Sequence, residues 1–194
     1  MIAGLILAGG LGRRLGGTDK PLIDIGGRTL LAHVVGRLGP QVERLVLNAN
    51  GDPARFAAFG LPVVADDIEG FAGPLAGILA GLDWAAAKGF THLVTVAGDN
   101  PLIPADLVER LAAASPVLAV AASGGRRHPT CGRWDVSLAA RLRRAVAEDG
   151  ERRLNGLTTA WGAVQVDWPD QPVDPFFNVN TADDIARLTK ILTP

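Results

Sequence analysis

Leu5-Ile6-Leu7-Ala8-Gly9-Gly10-Leu11-Gly12-Arg13-Arg14-Leu15-Gly16-Gly17-Thr18-Asp19-Lys20-Pro21-Leu22 is the stretch that decides the fold. Its first half belongs to an apolar run, Ile2 to Ala8, that reads as a buried strand. Its second half is a loop with five glycines, two arginines and a lysine. Glycine lets backbone N–H groups turn inward and lets a ligand approach the chain. Inward amides beside fixed cations suit a polyphosphate, whose oxygens each take charge-assisted donors. Two well-known phosphate loops do not match. Gly12 and Gly17 have the Walker spacing, but Thr18 and Asp19 stand where Lys and Ser or Thr belong. Gly10 and Gly12 begin a dinucleotide fingerprint, but Leu15 occupies its third glycine position.

Downstream of the loop, strand and helix patterns alternate. Thr29 to Leu38 has an apolar stripe at helical spacing and stops at Gly39-Pro40. Leu45-Val46-Leu47 reads as a strand, Ala54 to Phe59 as a short helix, and Pro62 to Ala65 as a strand. A glycine-rich bend, Gly70 to Gly77, opens a helix that buries Leu75, Ile78, Leu79 and Leu82. His92 to Ala97 is a strand, Pro104 starts a helix, and Pro116 to Ala122 is a strand. Val136 to Ala147 is an amphipathic helix, Trp161 to Trp168 a late strand, and Thr181 with Asp184 is close to a capping box for a last helix. This alternation predicts a three-layer, Rossmann-like α/β sandwich with a largely parallel, mixed sheet. The chain has 194 residues and no internal repeat or linker, which suits one domain over 1–194.

Several polar residues fall at the carboxyl ends of these strands, where open α/β sheets bind ligands. Asn48 follows the second strand, and it reads equally as a ligand group or as a turn residue before Asn50-Gly51. Asp66 ends the next strand and could receive a base, a ribose or a metal-bound water, or cap the following turn. Asp99 lies in Gly98-Asp99-Asn100-Pro101. It suits a hard divalent cation, which takes one or two carboxylates plus substrate phosphates, and it also suits an Asx turn. Arg126, Arg127 and His128 cluster beside Gly124-Gly125, as an anion site or as a solvated hairpin tip.

The totals exclude other classes. A net charge of −1 gives no sign of a nucleic-acid or membrane surface. The single cysteine, Cys131, rules out an intramolecular disulfide and a cysteine-built metal site. No apolar run approaches membrane-spanning length. The apolar N-terminus lacks leading basic residues, so no signal peptide is expected. The expected compartment is the cytoplasm.

The opening loop, Leu7-Ala8-Gly9-Gly10 through Arg13-Arg14-Leu15-Gly16-Gly17 to Asp19-Lys20, resembles the signature loop of nucleotidyltransferases. Its Gly-Gly-x-Asp-Lys ending is most similar to that of the molybdenum cofactor guanylyltransferases, which join GMP from GTP to molybdopterin. The likeness extends to Asn48-Ala49-Asn50, Gly73 to Gly77, His128-Pro129-Thr130 and Asn178-Val179-Asn180-Thr181. Gly98 stands where relatives commonly carry cysteine. The resemblance implies a nucleotidyltransferase fold and the following roles. Leu7, Ala8, Gly9 and Gly10 hold the nucleotide by backbone groups, with Asn48 and Asp66 on the nucleoside side. Arg13, Arg14 and Lys20 neutralise the triphosphate, and Asp99 holds Mg²⁺; Lys20, Arg13 and Asp99 form the catalytic set. Arg126, His128, Asn178 and Asn180 face the acceptor, molybdopterin. It also admits transient contact with cofactor-delivery proteins or molybdoenzyme chaperones. Two rivals stand beside this reading: a nucleotidyltransferase using CTP or a sugar-phosphate acceptor, and a non-catalytic nucleotide sensor.

Overall fold

The computed structural model describes residues 1–9, 19–68 and 73–192. Gly10, Arg13 and Arg14 of the expected phosphate loop, and the bend at 70–72, lie outside the described residues.

The strands are β1 Ile2–Leu7, β2 Asp24–Ile25, β3 Arg28–Thr29, β4 Arg44–Asn48, β5 Val63–Val64, β6 His92–Ala97, β7 Leu118–Ser123, β8 Arg126–Asp135 and β9 Val164–Trp168. The α-helices are α1 Leu30–Leu38, α2 Pro74–Ala87, α3 Leu107–Ala114, α4 Ala139–Ala147, α5 Leu154–Ala160 and α6 Ala182–Leu192. Seven strands form one sheet in the order β5-β4-β1-β6-β8-β7-β9, and β2 and β3 form a separate hairpin. Strands β4, β5, β1 and β6 pair in parallel, as do β7 and β9; β8 runs antiparallel to both β6 and β7. The expected mixed, largely parallel sheet is therefore the observed one.

β1 lies between β4 and β6 and is covered on both faces, which is why it reads as an unbroken apolar run rather than an alternating one. Ile6 packs with Leu31, Val34 and Leu38 of α1 and Leu107 and Leu111 of α3. Leu5 points to the other face, against Leu75, Ile78, Leu79 and Leu82 of α2. Two apolar layers thus sandwich the sheet. A helix of nine residues is too short to persist alone. α1 persists because Leu30, Leu31, Val34 and Leu38 are buried, at about 2 kcal/mol each. Thr29 caps it, its Oγ1 accepting from the Ala32 amide at 3.1 Å. A third apolar cluster seats α6 on the β2–β3 hairpin through Ile25, Leu30, Val179 and Leu188. The expected capping box is present: the Asp184 amide donates to Thr181 Oγ1, and Asp184 Oδ2 accepts from the Asn180 and Thr181 amides.

Three local expectations change. The helix expected from Pro104 begins at Leu107, after a turn in which the Leu107 amide donates to the Pro104 carbonyl. His128, read with Arg126 and Arg127 as an anion site or a hairpin tip, lies with Pro129 and Thr130 inside β8. Gly124 and Gly125, at φ 54° and 73°, make the tight turn into it, which suits a two-residue hairpin. Pro129, which has no amide to give the ladder, falls at the register shift where Val120 faces Gly132 and Ala121 faces His128. Finally, the segment expected as a strand from Trp161 starts at Val164, and a helix, α5, precedes it.

Candidate functional site

Parallel pairing brings the carboxyl ends of β4, β1 and β6 side by side. The Ala8 amide donates to the Asn48 carbonyl, and the Gly98 amide donates to the Leu7 carbonyl, so the three strand exits are laced together. Above them is a cleft of about 450 Å³ lined by Leu7, Gly9, Lys20, Asn48, Asn50, Asp66, Asp99, Thr130 and Asn178, among others.

One side of the cleft carries the acid–base pair. Lys20 Nζ donates to Asp99 Oδ2 at 2.5 Å and to Asn180 Oδ1 at 2.7 Å. The Lys20 and Asp99 side chains are 14% and 20% exposed, so a ligand can still reach both from the cleft. The segment carrying Asn178 and Asn180 is pinned to the end of β6. The Val179 amide donates to the Asp99 carbonyl at 3.1 Å. Buried Asn100 donates through Nδ2 to the Phe176 carbonyl and to Asn178 Oδ1.

The other side is an amide–carboxylate cluster. Asn48 Nδ2 donates to Asp66 Oδ1 at 2.8 Å and to the Val64 carbonyl at 3.2 Å. Asn50 Nδ2 donates to Asp66 Oδ2 at 2.8 Å, while its Oδ1 accepts from the Asp66 amide at 2.9 Å. Among the described residues each carboxylate oxygen takes one side-chain donor, leaving a lone pair for a donor on a ligand. α2 passes directly behind Asn48: a Cβ at Gly77 would lie 2.1 Å from Asn48 Oδ1. Only glycine lets the helix and the asparagine share that space.

Leu7, Gly9, Lys20, Asn48, Asp66, Asp99 and Asn178 of the expected site thus line one cleft, with Asn180 joined to it through Lys20. Buried Ala8 follows β1 directly. The basic cluster is divided. Strand alternation sends Arg127 to Thr159 Oγ1 on α5, while Arg126 is exposed at the start of β8. His128 is buried and stacks on Phe176 at 4.9 Å. Ser123 Oγ donates to Asp174 Oδ1 at 2.7 Å and lies 2.8 Å from His128 Nε2. The single hydroxyl proton goes to Asp174, so His128 Nε2 carries its own proton and donates to Ser123. Burial lowers the His128 pKa below its ordinary 6.5, more than nearby Asp174 raises it.

Asn50 and Asn100 build the site too, beyond the residues that the sequence singles out. Asn50 follows Asn48 by two residues, the interval that returns an extended chain to one face, and that spacing was the available signal. Asn100 had none, since the groups its Nδ2 reaches are more than seventy residues away.

Residues 4–161 match the family model described as MobA-like NTP transferase domain. The chain is 55% identical over 98% of its length to a molybdenum cofactor guanylyltransferase of a Bradyrhizobium species, covering 92% of that protein. It is 48% identical to the one from Mesorhizobium japonicum, with 98% and 96% of the two chains covered. This chain belongs to the MobA-like NTP transferase family. It is a nucleotidyltransferase.

Solved structures agree on the fold. Molybdopterin-guanine dinucleotide biosynthesis protein A from Archaeoglobus fulgidus superposes with a TM-score of 0.74 at 24% identity, over 98% of each chain. The 4-diphosphocytidyl-2C-methyl-D-erythritol synthase of Anaerococcus prevotii gives 0.76 at 14% identity, over 100% of this chain and 96% of the other. Proteins named for guanine and for cytidine products share this architecture, so the fold alone does not choose the nucleotide.

Proposed function

We infer that this chain transfers GMP from GTP to the terminal phosphate of molybdopterin, releasing pyrophosphate. The observation that carries this reading is the cleft itself. Lys20 and Asp99 face the Asn48–Asp66–Asn50 cluster across it, in a chain 48% to 55% identical to the named guanylyltransferases. An oxygen of the molybdopterin phosphate attacks the α-phosphorus of GTP. The bond from that phosphorus to the oxygen bridging to the β-phosphate breaks, and pyrophosphate leaves with the electron pair. No covalent enzyme intermediate is needed, so catalysis consists of alignment and charge neutralisation.

The chain's residues divide that work. Leu7, Ala8, Gly9 and Gly10 hold the nucleotide through backbone groups. Asn48 and Asp66 bind the nucleoside, the free carboxylate lone pairs accepting from donors on the base edge. Lys20, with Arg13 and Arg14, neutralises the triphosphate. Before nucleotide arrives, Lys20 and Asp99 compensate each other's charge, which makes an otherwise costly half-buried carboxylate tolerable. Asn178 and Asn180 face the acceptor, with Arg126 and His128 on the same side.

Asp99 is also the residue that would hold Mg²⁺. No group of three His, Cys, Asp or Glu among the described residues is arranged to hold a metal. The Asp99 carboxylate at the cleft, still 20% exposed, fits a hard ion that takes most of its ligands from phosphate oxygens and water. Mg²⁺ would supply further neutralisation of the charge on the phosphates. No helix among the described residues is long and apolar enough to cross a membrane. We place the reaction in the cytoplasm, with transient contact to proteins that deliver or receive the cofactor.

The deciding experiment is mass spectrometry of the product formed from molybdopterin, Mg²⁺ and either GTP or CTP. The guanine dinucleotide should form from GTP. Formation of the cytosine dinucleotide alone would overturn the base assignment, and absence of product with tight GTP binding would make the chain a sensor.

A further inference from the structure

Arg55 lies on the 3-10 turn Pro53–Phe59 and is not among the residues lining the cleft. Its Nη1 donates to both oxygens of Asp19, at 3.0 and 3.1 Å. Its Nη2 donates to the Asn50 carbonyl at 2.6 Å. The guanidinium sits 4.8 Å from the ring centroid of Phe56, which is buried in the core. One rigid, planar group therefore grips two chain segments while resting on a fixed platform.

The two segments have different jobs. Asp19 is joined by a single peptide bond to Lys20, whose ammonium meets Asp99 and Asn180. Asn50 holds Asp66 by both ends of its side-chain amide. A backbone shift of about 1 Å at either segment would misplace a reacting or recognising group, and such shifts cost on the order of a hundredfold in rate. A lysine could not replace the arginine, because a point-like ammonium cannot span a carboxylate and a carbonyl in fixed directions.

We propose that Arg55 is a positioning residue that holds the phosphate-binding Lys20 and the base-binding Asn50–Asp66 pair at one separation, so that base recognition and phosphate placement are coupled. This rests on the nucleotide roles given above to Lys20 and Asp66. A nucleotide whose base does not engage Asp66 then also presents its triphosphate poorly to Lys20. The coupling runs through the Asp19 carboxylate on one side and the Asn50 carbonyl on the other.

The test compares the wild type with Arg55→Met, Arg55→Lys, Asp19→Asn and the double variant Arg55→Met/Asp19→Asn. Arg55→Met keeps the apolar stem on Phe56; Asp19→Asn is isosteric and removes only the charge pairing. Each is followed by a melting curve, by calorimetric titration with GTP and ATP, and by steady-state turnover with GTP and molybdopterin varied separately. Arg55→Met and Asp19→Asn should each lower kcat/KM for GTP about tenfold, and the double variant should be no worse than the poorer single, since contacting residues in one network are non-additive. The preference for GTP over ATP should shrink with Arg55→Met, Arg55→Lys should recover little of it, and KM for molybdopterin should stay within about twofold of wild type. Wild-type preference and kcat/KM in folded Arg55→Met and Asp19→Asn, or multiplicative effects in the double variant, would overturn the proposal. A wild-type chain that binds no GTP would instead remove the nucleotide reading, and this proposal with it.

Discussion

Lys20 Nζ meets Asp99 Oδ2 at 2.5 Å although 79 residues separate the two in sequence. Asn180 Oδ1 lies on the same ammonium, 160 residues away. Three distant parts of the chain thus converge on one charge, and the first prediction follows from breaking that convergence at its acidic member.

Asp99→Asn should fold and lose the chemistry. The replacement keeps shape and can still accept from Lys20, so the loss of a partly solvated ion pair costs about 1 kcal/mol or less. Removing a preorganised charge from the reacting phosphates slows turnover on the order of a hundredfold. Steady-state turnover against Mg²⁺ concentration, with a melting curve on the same sample, checks both halves. Near-normal turnover would return Asp99 to a turn role.

Gly77→Ala should weaken nucleotide binding from behind the site. The added methyl would lie 2.1 Å from Asn48 Oδ1 and 2.9 Å from Leu7 Cδ2, both at the cleft. Forcing a group into occupied space costs about 1–3 kcal/mol. Asn48 is the side chain able to yield, and in yielding it leaves Asp66. GTP affinity should then fall about tenfold, the worth of one good hydrogen bond to a charged group. Calorimetry on the folded variant decides; unchanged affinity would mean that Asn48 does not touch the nucleotide.

Stability should decline on mild acidification, and His128 should carry part of the slope. Burial is the first cause lowering both His128 and His92 below 6.5; Arg126 adds to it at His128 and Arg133 at His92. The folded form therefore binds fewer protons than the unfolded chain below neutrality. Their contribution is fully present above pH 6.5 and is lost as pH falls through the depressed folded values. Melting temperatures measured from pH 7.5 downward should drop, and His128→Gln should flatten the dependence. A His128→Gln curve parallel to wild type would place the titration elsewhere.

Cys131 should resist thiol reagents in the folded protein. Burial pushes its thiol up to about 12, and it is fully enclosed. The thiolate is the reactive form, so at pH 8 the native chain should take up no label, and denaturant should release one reactive thiol per chain. Stoichiometric labelling under native conditions would show that the middle of β8 opens.

Much of the architecture was legible because it rests on local rules. The unbroken apolar run of β1, the stripe of Leu30, Leu31, Val34 and Leu38 and the Thr181–Asp184 box each announce their element within a few residues. Helix α5 did not. Leu154-Asn155-Gly156-Leu157-Thr158-Thr159-Ala160 is poor in helix formers, and burial of Leu154, Leu157 and Thr158 compensates. The hairpin tip at Gly124-Gly125 was legible, but the run of β8 through His128 was obscured by Pro129, which a strand tolerates here only at a register shift.

By itself the sequence determined the alternation of strand and helix, the glycine-rich exit from β1, and which polar residues would stand at strand ends, because period, turn chemistry and charge act over a few residues. The tertiary structure alone decided which of those residues meet. Sheet order sets β5, β4, β1 and β6 side by side, and that adjacency joins Asn48 and Asn50 to Asp66, Lys20 to Asp99 and Asn180, and Arg55 to Asp19. The same step-by-step alternation of a strand separates Arg127 from His128, neighbours in sequence that point to opposite faces. Hydrogen bonds and ion pairs fall off within a few ångströms, so they answer to distance in space, which strand order sets and sequence spacing does not.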